Sequence, residues 1–152
     1  MKKGIVIFWG FILVGTSSLY AQEPVQWTYT SKALTPDTYE VRIIATIQDG
    51  WHLYAQKQPS DAIALPTKIS FVKSPLVELQ GLTKEVGKLD RFTDPNLGVE
   101  ANQYLHKVDF VQVVRLKAKV QTTITGTIQF QVCNEQECLP PTITEFSIPL
   151  KG

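Results

Sequence analysis

The stretch QVCNEQECLPP, residues 131–141, holds both cysteines of the 152-residue chain, Cys133 and Cys138, with four residues between them and two prolines close behind. Such a pair can clip a loop, bind a metal or exchange electrons with another thiol. As a clip it is weak: chain-entropy stabilisation grows with loop length, and a loop of ~15 residues corresponds to ~3 kcal/mol, whereas this loop is far shorter. As half of a zinc site it would need His52 and His106, the chain's two histidines. The cysteine spacing lies at the edge of zinc patterns, and His106, after QYL, is expected to face solvent in a turn. No metal and no cofactor are therefore expected. Exchange asks only that the bond sit in an accessible loop, open to a partner's thiolate. Glu135 and Glu137 lie inside the loop, with no Lys, Arg or helix N-terminus at hand to lower a thiol pKa. A free thiol here is expected to be a restrained nucleophile, which suits a carrier that must not leak electrons.

The N-terminus sets the compartment. Lys2 and Lys3 precede an apolar run from Gly4 to Val14, followed by Gly15, Thr16, Ser17 and Ser18, and Ala21 stands before Gln22. Basic, apolar and small-residue regions in that order predict a signal peptide over residues 1–21, too short in its apolar part for a membrane span. With Gln rather than Cys at 22, no lipid anchor is expected, and the mature chain should be periplasmic without stable membrane insertion. In an oxidising compartment a disulfide is the expected resting state. The whole chain has 15 basic and 14 acidic residues; removal of Lys2 and Lys3, with no acid lost, leaves 13 and 14. That balance, without a basic stripe, argues against nucleic acid as a partner.

The elements that must position the pair follow a period of two. YEVRIIATI puts Val41, Ile43, Ala45 and Ile47 on one face, and TKISFVK alternates through Ile69 and Phe71. VDFVQVVRL sets Val108, Phe110, Val114 and Leu116 on one side. TITGTIQFQV sets Ile124, Ile128, Phe130 and Val132 inward, and TEFSIPL closes the series. VQWTYTSKAL and LVELQGLTKEV are weaker strands, and TPD, QDG, SP and DPNLG supply turns. Residues 22–152 are one domain, large enough for its own core. Short strands with turn signals at this density predict an all-β fold, an immunoglobulin-like antiparallel β-sandwich, with a closed barrel as the alternative. The cysteines then flank a hairpin-like loop at one end, since Pro140 and Pro141 delay the next strand. Cys133, directly after an inward-facing strand, should be held and covered, and Cys138 freer.

These stretches resemble a known family. VCNEQECLPP, followed by a strand ending SIPL, is similar to the active-site hairpin of the N-terminal periplasmic domain of the thiol:disulfide interchange protein DsbD. QDGWHLYAQ, residues 48–56, resembles its aromatic segment, and DPNLGVEANQY, residues 94–104, its cap loop and following strand. The resemblance covers roughly residues 25–150. It implies a disulfide that accepts electrons from a thioredoxin-like protein or a membrane reductase and passes them to exported disulfide-bearing proteins. Cys138 matches the cysteine that forms mixed disulfides and Cys133 its resolving mate. His52 and Tyr54 fall where the family has two tyrosines, and Asp94 falls on an acidic cap residue. The cysteine spacing is one residue shorter than in the best-known enterobacterial members. Where those carry a shielding Phe, this chain reads Asn96 and Leu97, with Phe92 the next apolar candidate. Trp51 is expected to pack. A different class stays open beside this one: a non-catalytic immunoglobulin-like binding or scaffold domain with a fixed disulfide.

Overall fold

The computed structural model describes residues 23–93, 95 and 98–150. The signal-peptide segment and Asp94, Asn96 and Leu97 lie outside that set. All regular structure among the described residues is strand, and every pairing is antiparallel. One sheet runs in the order β1 (Val25–Ala33), β2 (Thr38–Ile47), β8 (Lys107–Leu116), β5 (Val77–Gly87). A second runs β11 (Thr142–Leu150), β9 (Thr122–Phe130), β4 (Lys68–Phe71). A third runs β10 (Val132–Cys133), β3 (His52–Tyr54), β7 (Glu100–Tyr104), β6 (Asp90–Thr93).

The alternation in the sequence is the burial pattern of the strands. Val41, Ile43, Ala45 and Ile47 of β2, and Val108, Phe110, Val114 and Leu116 of β8, are all buried. They join Ile124, Ile128 and Phe130 of β9, Phe146, Ile148 and Leu150 of β11, and Leu53 and Tyr104 of the third sheet in one core. Trp27 of β1 sits between the layers, its ring centroid 5.1 Å from that of Phe130 and 6.1 Å from that of Phe110. This is the expected immunoglobulin-like sandwich; the sheets end on open strands rather than closing into a barrel. β8 is less simple than its alternation suggests. Asp109 on its other face and Gln112 on the core-facing side are also buried, with Asp109 accepting from Arg42 Nη1 at 3.0 Å and Gln112 Oε1 accepting from Thr83 Oγ1 at 2.8 Å. Buried polar groups persist when they find such partners.

At Gln131 the chain changes sheets. The sequence suggests one strand through Val132, but β9 ends at Phe130, paired with β11 and β4, and Val132 opens a new pairing with Leu53 of β3. Residues 131–142 therefore bridge the second and third sheets, and this is the part of the fold that carries the cysteines.

Candidate functional site

Cys133 and Cys138 are joined in a disulfide, with Cα atoms 4.0 Å apart, inside the ~7 Å limit for such a bond. The intervening turn is closed by Asn134, as that residue's short amide side chain allows. Asn134 Oδ1 accepts from the backbone N–H groups of Gln136 and Glu137, each at 2.8 Å, and Asn134 N donates to Glu137 O at 2.9 Å. Beyond the bond, Leu139 N donates to Val132 O at 3.0 Å and Gln131 Nε2 donates to Leu139 O at 3.0 Å. The hairpin is thus tied on both sides of the disulfide. Its two sulfur-bearing residues are unequal: Cys133 is 1% exposed, whereas Cys138 is exposed. Phe130, Val132, Leu139 and Pro140 line a mainly apolar hollow against the back of the hairpin.

β3 places the neighbours. The turn before it has Gly50 at φ +83, a left-handed conformation that suits glycine, and Trp51 N donates to Gln48 O at 3.1 Å. Leu53, fully buried, then faces inward opposite Val132, and Trp51 packs against the core. His52 and Tyr54 consequently share the other face. His52 is the ladder partner of Cys133, and Tyr54 is that of Gln103 on β7. Directly paired residues of an antiparallel ladder have Cβ atoms about 4.5–5.5 Å apart on one face, so Cys133 and His52 are immediate neighbours. Asp90 of β6 pairs with Gln103 in turn and accepts from its Nε2 at 2.9 Å. One face of this sheet therefore carries Cys133, His52, Tyr54, Gln103 and Asp90.

The rings of His52 and Tyr54 meet edge to face, centroids 5.2 Å apart, with His52 Nε2 3.4 Å from Tyr54 Oη. Burial pushes the His52 pKa below its ordinary 6.5 against a smaller opposing pull from the Asp90 carboxylate. Burial also raises the Tyr54 phenol pKa. Burial thus favours the neutral form of the imidazole beside the covered Cys133.

The structure brings together four of the residues singled out from the sequence: Cys133, Cys138, His52 and Tyr54. Asp94, Asn96 and Leu97 lie outside the described residues. Phe92 is 44% exposed on β6, the third strand across from β10. His106 stands apart, its side chain 77% exposed and 3.5 Å from Asp49; among the described residues no cluster of three potential metal ligands occurs. Gln103 and Asp90 escaped the sequence reading. The signal that could have found them is the parity of ANQY and DRFT once these segments are aligned as partners of HLY.

A family model described as the N-terminal part of the thiol:disulfide interchange protein DsbD matches residues 18–149. The chain belongs to this family. Comparison with the curated proteins returns no match. Among solved structures, the reduced DsbD N-terminal domain of Neisseria meningitidis is 22% identical, with 82% of this chain and 86% of that one covered at a TM-score of 0.49. The N-terminal periplasmic domain of ScsB from Proteus mirabilis is 13% identical at a TM-score of 0.55, with 89% of this chain aligned to 49% of that one. At that identity the ScsB likeness speaks for the fold. The DsbD N-terminal domain in its complex with the PilB N-terminal domain, also from Neisseria meningitidis, is 20% identical over 80% of each chain, TM-score 0.46. Membership of the DsbD N-terminal family, with the bonded cysteine pair, supports a thiol:disulfide interchange module. No helix among the described residues is long and apolar enough to cross a membrane.

Proposed function

We propose that this DsbD N-terminal domain is a periplasmic electron carrier, exported by residues 1–21, that takes two electrons from a thioredoxin-like donor or membrane reductase and delivers them to exported disulfide-bearing proteins. The observation that carries this reading is the unequal exposure of the two cysteines. A donor thiolate reaches Cys138 Sγ, the Cys133–Cys138 bond breaks, and the electron pair leaves on Cys133 Sγ, which takes up a proton. The donor's second thiol then attacks its own sulfur in the mixed disulfide and releases Cys138 as the thiolate. In the second half-reaction Cys138 attacks the acceptor's disulfide and Cys133 resolves the adduct. The apolar hollow beside Leu139 and Pro140 gives an arriving protein surface to bury against the back of the hairpin. Asp94, Asn96 and Leu97 are proposed to cover the pair, with Leu97 the apolar part of the cover.

Two measurements test it. Cys133→Ser should accumulate a mixed disulfide with a thioredoxin-like donor through Cys138, whereas Cys138→Ser should trap far less; equal trapping removes the assignment. The reduction potential of the pair should lie above about −300 mV, where shuttling disulfides are found. A value well below that returns the chain to the other class, a scaffold domain with a fixed bond.

A further inference from the structure

Burying a thiol raises its pKa, because the thiolate loses solvation. Cys133 is buried, and the half-reaction that resolves an adduct on Cys138 needs it as a thiolate. Some group must take its proton. The ladder sets His52 directly beside Cys133 on the same face, half-covered, with Tyr54 Oη 3.4 Å from its Nε2. Behind it, through Gln103, stands the Asp90 carboxylate.

We propose that His52 is the proton acceptor that releases Cys133 as a thiolate when it resolves a mixed disulfide on Cys138. The Cys133 Sγ proton passes to a ring nitrogen of His52, and the thiolate attacks Cys138 Sγ. The bond from Cys138 to the foreign sulfur breaks with the electron pair leaving on that sulfur, and the imidazolium then returns its proton to solvent or to the departing thiolate. Burial keeps the imidazole neutral at rest, ready to accept; Asp90 stabilises the imidazolium formed in passing. Among the described residues, the charged and titratable groups that pair with His52, touch it or act on it are Cys133 from β10, Tyr54 from β3 and Asp90 from β6. β7 contributes Gln103, which does not titrate. Glu135 and Glu137 are exposed in the hairpin turn.

This assignment rests on the interchange reading, and the test separates the two. Reduced protein is mixed with one equivalent of an aromatic disulfide such as 5,5′-dithiobis(2-nitrobenzoate). The first aryl thiolate appears as Cys138 attacks; the second appears in a first-order phase as Cys133 resolves. For the native chain the second-phase rate should reach a plateau near neutral pH, from the pKa of His52 up to that of the Cys133 thiol. In His52→Gln the plateau should vanish and the rate climb tenfold per pH unit, with a deficit at pH 7 on the order of 100-fold, typical of a lost general base. The first phase should be unchanged, which also reports that the site is intact. Asp90→Asn should move the lower edge of the plateau to more acidic pH. An unchanged second-phase profile in His52→Gln overturns the proposal, and so does a uniform slowing of both phases with the profile's shape preserved. The reduction potential of the pair, measured separately, decides the interchange reading whichever way His52 behaves.

Discussion

His52 also writes a signature into stability. Its folded-state pKa is depressed by burial, so the neutral form is favoured in the native state. Stability from this group is fully present above the unfolded value of about 6.5 and is lost as pH falls through the lower, folded value. Denaturant titrations between pH 7 and pH 5 should therefore show the native protein weakening by more than His52→Gln over the same interval. Parallel loss in both proteins would assign the acid limb to other groups. The two cysteines and their unequal standing were legible in the sequence, because Cys133 follows the inward series Ile128, Phe130, Val132 and Cys138 precedes two prolines. Gln103 and Asp90 were not legible. Their place beside His52 depends on which strands β3 and β6 meet, and pairing is settled by contacts distant in the chain.

At the scale of elements, β9 shows how tightly the second layer is built. Gly126 lies opposite Phe146 of β11 on one side and Phe71 of β4 on the other. A Cβ at this position would run into the backbone oxygen of Ser70 and the ring of Phe146. Phe146 and Phe71 stack edge to face over the gap, centroids 5.4 Å apart. Gly126→Ala should destabilise the protein by about 1–3 kcal/mol, the usual range for overpacking, read as a lower urea midpoint with unchanged slope; native-like stability would show that the strands can part at little cost. β2, β8 and β9 announce themselves by period-two runs of nine or ten residues, whereas β1 and β5, the latter the longest strand at 11 residues, show only as weaker candidates. β3, β6 and β7 span three, four and five residues, too few for alternation to stand out, and DPNLG between β6 and β7 reads first as a turn. The break at Gln131 was equally hidden, since Phe130 and Val132 keep their inward parity while their partners change from β11 to β3.

At the scale of the molecule, the class of fold, the single core and the end of the sandwich that bears the cysteines were all legible, because each follows from hydrophobic pattern and turn chemistry that the chain states locally. How the third sheet fans out from β10 to β6 was not. Among the described residues the pair shows the outside one member: Cys138 is exposed, while Cys133 is buried beside β3. If the chain carries electrons as proposed, one accessible cysteine gives it one berth. On that proposal a donor would have to depart before an acceptor could arrive, each would compete with the other's visit, and no complex of all three would form. Initial rates with both substrates varied should give parallel double-reciprocal lines, the pattern of a ping-pong exchange, and excess donor should slow turnover by occupying the oxidised and reduced carrier alike. Intersecting lines would mean that a second docking place exists.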